Sequence, residues 1–219
     1  NRPVLGGERY LTDKEVSAQL KLSRRTLQDY RNEGRISYYQ LGGKILYRES
    51  DIEKMIDVID TELSFESVYK KEYMPKEYED EIKSANVLLI PNENFRGKQG
   101  LFFPECTDEL LDFIKEQENE NVKVDICISD EEFKKLELHA DIVYIATMIV
   151  QWAVLPITTS IIAAYLYDKL NKSNKSPKET NTDVNVIVEK NGKSKMVHYQ
   201  GSIENFEKTM KTIDETIFK

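Results

Sequence analysis

Cysteine is nearly absent from this chain of 219 residues: only Cys106 and Cys127 occur, 21 positions apart. Two such residues make neither a disulfide framework nor a zinc-ligand spacing, which points to a reducing, cytoplasmic setting. Histidine is equally scarce, with only His139 and His198. Neither lies in a signature for a Cys–His nucleophile, and the acidic residues are too scattered to suggest a metal cluster. The sequence therefore offers no catalytic residue, no metal and no cofactor. Gly97 and Gly100 in NENFRGKQG lack the spacing of either common phosphate-binding loop. The opening NRPVLGGERYL lacks the apolar centre of a secretory signal.

Positive charge is in deficit overall. The net charge of −8 argues against a protein that coats nucleic acid along its whole length. The deficit is uneven, however. Residues 1–60 hold 11 Lys and Arg against 10 Asp and Glu, whereas the remainder holds 20 against 29. Within residues 21–48 stand seven basic side chains (Lys21, Arg24, Arg25, Arg31, Arg35, Lys44 and Arg48) and only two acidic ones, Asp29 and Glu33. A basic stripe in an acidic chain is the footprint expected of a local nucleic-acid contact.

Helix starts cluster in the same region. Thr12 with Glu15, and Ser50 with Glu53, fit the capping box, in which side chains satisfy orphan amide donors reciprocally. Ser23 stands before RRTLQDYRNEG as a third cap. The expected helices run over 12–20, 23–33 and 50–62, with Val16, Leu20, Leu27 and Tyr30 facing inward. Ile52, Met55, Ile56 and Ile59 form the inner stripe of the third. Only Lys21 and Leu22 separate the first two helices, which forces a sharp crossing. After Gly34, the β-rich RISYYQ and KILYR flank Leu41, Gly42 and Gly43, where paired glycines suit a hairpin turn. One of Tyr38 and Tyr39 is expected in the core and the other at the surface.

The stretch LTDKEVSAQLKLSRRTLQDYRNEGRISYYQLGGKILYRESDIEKMI, residues 11–56, resembles the excisionase-type, MerR-related winged helix-turn-helix family. Leucine-threonine, the SRRT run, the helix ending in EG and the GG-plus-basic turn carry the resemblance. It implies binding of double-stranded DNA, with the helix after Ser23 in the major groove and the wing on phosphate. Base contacts then fall to Arg24, Arg25, Thr26 and Gln28. Phosphate contacts fall to Ser23, Arg31, Arg35, Lys44, Tyr47 and Arg48. The family often has Gly where Lys21 stands, and basic residues where Asp29, Gln40 and Leu46 stand. Each missing cation lowers affinity, so a single copy is expected to bind weakly and a homo-oligomer to bind better.

The remainder is read as a linker or helix extension over 63–84 and an α+β region over 85–219, after a DNA-binding domain over 1–62. ANVLLIP and VKVDICI are expected strands around a helix TDELLDFIKEQ capped by Thr107, giving a parallel βαβ unit. Ser129 with Glu132 marks another helix start. Residues 142–167 contain no charge. Pro156 interrupts them, and the leading expectation is a buried apolar helical hairpin, with insertion into a membrane as the alternative. DVNVIVEKNGKSKMVHYQG alternates around Asn191 and Gly192, and a helix from Ser202 completes a C-terminal ββα unit. The expected function is regulation or recombination accessory work by occupancy, in a bacterial or mobile-element setting. The runner-up is a defence-type effector whose winged helix binds nucleic acid or a partner and whose 142–167 segment acts on a membrane.

Overall fold

The computed structural model describes residues 9–20, 23–32, 36–52, 56–93, 99–137, 142–214 and 217–218. The chain divides into two units, residues 1–57 and 58–219.

In the first unit, β1 (Tyr10–Thr12) leads into α1 (Asp13–Leu20) and α2 (Arg24–Asn32). β2 (Tyr39–Leu41) and β3 (Lys44–Arg48) form a hairpin, and α3 (Glu49–Ile52) follows. The sheet order is β1-β3-β2, antiparallel throughout. Gly42 at φ +54° and Gly43 at φ +77° make the hairpin turn in a conformation that other residues adopt only with strain. Alternation sorts the sheet's two faces. Leu11 pairs with Tyr47, and both point inward to join Val16, Leu27, Ile36 and Ile52 in one core. Tyr10, Leu46, Arg48 and Tyr39 take the opposite face. Two helices, a hairpin and a third helix follow one another in the expected order, and β1 adds a strand that the periodicity did not show.

The expected third helix is much shorter. It ends as α3, Met55 lies outside the described residues, and Ile56–Thr61 is a strand, β4, rather than helix. β4 pairs with the sheet of the second unit, and Ile59 is exposed instead of facing inward. The run IDVIDT is rich in β-branched residues, and a sheet edge stabilises it as a strand despite its helical spacing.

The second unit continues with α4 (Phe65–Tyr69), α5 (Glu79–Ser84) and β5 (Val87–Leu89). Residues 63–84, expected as a linker or helix extension, hold these two short α-helices. Next come β6 (Asn92–Glu93), β7 (Leu101–Pro104), α6 (Thr107–Glu116), β8 (Val124–Ile126) and β9 (Lys135–Leu136). β5 and β8 are parallel, as expected, but β6 and β7 intervene before the helix and form a small sheet with β9. Cys106 occupies the N-cap position of α6, and Thr107 instead bonds the Pro104 carbonyl at 2.7 Å. After Ser129 the backbone makes a tight turn toward β9, with the amides of Glu132 and Phe133 on the Ser129 carbonyl, and no helix forms.

The uncharged run departs furthest from expectation. It builds β10 (Ile142–Tyr144), β11 (Met148–Gln151), a short 3₁₀ turn and most of α7 (Leu155–Ser173), not a helical hairpin. β12 (Asn181–Lys190) and β13 (Lys193–Ser202) pair over ten positions around the Asn191–Gly192 turn, and α8 (Ile203–Asp214) follows. β10 and β11 lie end to end along the other side of β12, both parallel to it. The large sheet runs β4-β13-β12-β11-β5-β8.

α7 packs between α6 and α8 and touches β11. Phe113 on α6 meets Tyr165 edge-on at 5.6 Å, and Ser160 donates to Glu207 on α8 at 2.9 Å. A helix covered on several sides must be apolar nearly all round, which accounts for the missing charges. The buried Thr158 hydroxyl donates to the Val154 carbonyl at 2.9 Å. Pro156 sits in the first turn, where a missing amide costs nothing, so it opens a helix instead of separating two. Among the described residues no helix is long and apolar enough to cross a membrane.

Candidate nucleic-acid interface

The first unit builds its exposed basic surface from two directions. α1 starts with a complete capping box. The Thr12 amide and hydroxyl each donate to Glu15 Oε2 at 2.8 Å, and the Glu15 amide returns to Thr12 Oγ1 at 3.4 Å. The Thr12 amide hydrogen bond holds the Glu15 carboxyl below its usual pKa. α2 then begins at Arg24, and the Leu27 amide bonds the Ser23 carbonyl at 3.1 Å. Leu27 is fully buried, which anchors the helix and leaves Ser23, Arg24, Arg25 and Gln28 exposed. Thr26 belongs to the same first turn.

The second direction is the wing. Lys44 and Leu41 flank the glycine turn and are exposed, Leu41 at 68%. Arg48 faces Tyr10 across the β1–β3 ladder. Its Nε donates to the Tyr10 hydroxyl at 3.4 Å, and its guanidinium lies 4.7 Å from the Tyr39 ring centroid. Tyr10 and Tyr39 pack edge-on at 5.6 Å. Flanking aromatic rings stabilise a guanidinium while leaving its outer nitrogens available.

Two residues expected at phosphate lie elsewhere. Tyr47 is a core residue, 0% exposed, because it stands on the inward face of β3 opposite Leu11. Its hydroxyl donates to Asp13 Oδ1 at 2.5 Å. Arg31 is turned inward as well, with its side chain 13% exposed and Nη1 on the same Asp13 oxygen at 2.7 Å. Burial, reinforced by the Asp13 hydrogen bond, pushes the Tyr47 phenol up to about 12. Burial works to lower the Arg31 pKa, but the contacts to Tyr47 and Asp13 outweigh it and the net shift is upward. Both groups therefore keep their protons at neutral pH, one as a neutral donor and the other as a cation. Tyr38 and Tyr39 are both exposed, so neither is the core residue expected of the pair, and the Tyr38 ring lies 5.8 Å from the Arg31 guanidinium. Arg35 lies outside the described residues.

Sequence reasoning missed Asp13 and Tyr10. Asp13 reads as an ordinary acid in a first helical turn, and its partners lie 18 and 34 positions away. Tyr10 precedes the expected first helix and gains a role only through the ladder with Arg48.

In the second unit the two cysteines are buried thiols, and burial raises the pKa of each. His198 lies on β13 with Nε2 at 3.2 Å from Asp183, while His139 lies outside the described residues. No group of acidic, His and Cys side chains able to hold a metal occurs among the described residues.

Residues 10–57 match a family model described as a helix-turn-helix domain. Neither the curated proteins nor the solved structures returned a match. The first unit is accordingly a helix-turn-helix domain of DNA-binding type.

Proposed function

We propose that the chain binds double-stranded DNA in the excisionase- or MerR-like manner, with α2 in the major groove and the β2–β3 wing on the adjacent backbone. The observation that carries this reading is the division of labour along α2. Arg24 and Arg25 are exposed at its first turn, whereas Arg31 at its last turn is held inward by Asp13. A helix entering a groove presents base-reading side chains from its amino-terminal turn. Arg24 and Arg25 suit guanine, Gln28 suits adenine, and Thr26 suits a thymine methyl. Ser23, Lys44 and Arg48 supply phosphate contacts.

The protein acts by occupancy, as a transcriptional regulator or recombination accessory, and residues 58–219 serve as an interaction or oligomerisation module. Arg31 is withdrawn from the surface, and Asp29, Gln40 and Leu46 stand where the resembling family often has cations, so pairing of copies on one duplex supplies the missing electrostatic contacts. Selection of bound duplexes from a random pool, followed by anisotropy titration, tests the reading. Enrichment of a guanine-containing motif whose binding needs Arg24 or Arg25 supports it. No binding above that of the double variant removes it.

A further inference from the structure

One carboxylate oxygen ties three elements together. Asp13 Oδ1 accepts from the Tyr47 hydroxyl at 2.5 Å and from Arg31 Nη1 at 2.7 Å. Arg31 Nη1 also donates to the Tyr47 oxygen, closing a triangle. Asp13 is the first residue of α1, Arg31 lies in the last turn of α2, and Tyr47 stands on β3. The guanidinium also sits 5.9 Å from the Tyr47 ring centroid and 5.8 Å from that of Tyr38.

The apolar core of Leu11, Val16, Leu27, Ile36 and Ile52 already holds α1, α2 and the sheet together. Apolar burial is non-directional, so it fixes proximity more firmly than angle. A planar guanidinium with donors at set directions does the reverse, as does a phenol bonded to a charged oxygen. Arg31 satisfies both partners only while the end of α2 stays at one distance and one rotation relative to β3. That same strand carries Lys44 and Arg48.

We propose that the Asp13–Tyr47–Arg31 triangle sets the angle between α2 and the wing, so that both engage one duplex at the same time. Tyr47 and Arg31 are then positioning residues, acting through Arg24, Arg25, Lys44 and Arg48 without touching DNA. The proposal rests on the DNA-binding reading above. Removing the Tyr47 hydroxyl leaves the ring in the core and the fold intact, but lets the helix and wing drift out of register with the groove and backbone. Contacts are then lost in number as well as in strength.

The test titrates the full chain against a labelled mixed-sequence duplex of about 24 base pairs, over roughly 50–200 mM salt. Tyr47→Phe and Arg31→Lys are compared with wild type, and far-UV circular dichroism establishes that each is folded. We expect a roughly fivefold weaker Kd for each variant. We also expect the slope of log affinity against log salt to fall by about one, reporting a lost phosphate contact. A triangle that only braces the fold leaves the slope of a folded variant unchanged, and that result overturns the proposal. If Tyr47→Phe does not fold, Arg31→Lys, which keeps the charge and loses the planar fork, decides alone. If wild type itself shows no salt-dependent binding, the DNA reading fails and takes the proposal with it.

Discussion

Arg48 lies 4.7 Å from the ring centroid of Tyr39, on the face of the wing sheet opposite the helices. The cation is therefore held outward by an aromatic neighbour, whereas Arg31 in the same unit is held inward by a carboxylate. If Arg48 meets phosphate, Arg48→Ala lowers the salt slope of duplex binding by about one. Tyr39→Ala keeps the charge but frees the side chain, and a smaller loss of affinity in the same direction is expected. Anisotropy titrations at several salt concentrations distinguish the two, and an unchanged slope for Arg48→Ala assigns that residue elsewhere.

Arg24→Ala and Arg25→Ala each weaken binding to a selected duplex by about 1–3 kcal/mol where the side chain reads a base. The loss shrinks on a mixed-sequence duplex, where only charge remains. Both side chains are exposed, so the melting temperature changes little. Variants that shift both duplexes as wild type does exclude α2 from the groove.

Thr12→Ala removes the side-chain half of the α1 cap and costs ~1 kcal/mol of local stability. The effect depends on pH in a defined direction. Glu15 is lowered from its ordinary value of 4.5 by the Thr12 amide, so its stabilising contribution is complete above that value. It is lost as pH falls through the lower folded pKa. Hydrogen exchange of the α1 amides should show protection that drops on acidification in wild type. A flat profile in wild type removes the linkage.

Leu166 is 0% exposed on α7. Leu166→Ala is expected to cost roughly 2–5 kcal/mol, by lost transfer energy and the cavity left behind. Urea unfolding followed by Trp152 fluorescence reads this, since Trp152 opens the 3₁₀ turn that leads into α7. A shift below ~1 kcal/mol indicates that the helix can close over the gap.

The first unit was largely legible in the sequence because its rules are local. Thr12 with Glu15 signals a helix start within four residues, and Gly42 with Gly43 signals a turn within two. The Asn191–Gly192 hairpin, at φ 52° and 73°, was legible for the same reason. Where identity depends on distant neighbours, the pattern misleads. Ile52, Ile56 and Ile59 have helical spacing, yet Ile56–Thr61 becomes an edge strand because β13 is there to pair with it. Residues 142–167 lack the alternation of polar and apolar positions that separates strand from helix, since both β11 and α7 are covered on more than one side. The candidate site was only partly legible. Exposed Arg24 and Lys44 follow from position in a helix and a turn. The inward fate of Arg31 and Tyr47 depends on Asp13, and nothing near either residue announces that partner.

β1 pairs with β3 from Tyr10 opposite Arg48 to Thr12 opposite Leu46, and it ends at Thr12, the residue that caps α1. Three residues thus complete the wing and set the first helix at once. A protease that severs the backbone just after Thr12 would leave α1, α2 and the hairpin whole in covalent terms, yet detach the outer strand from its neighbour and Tyr10 from Arg48.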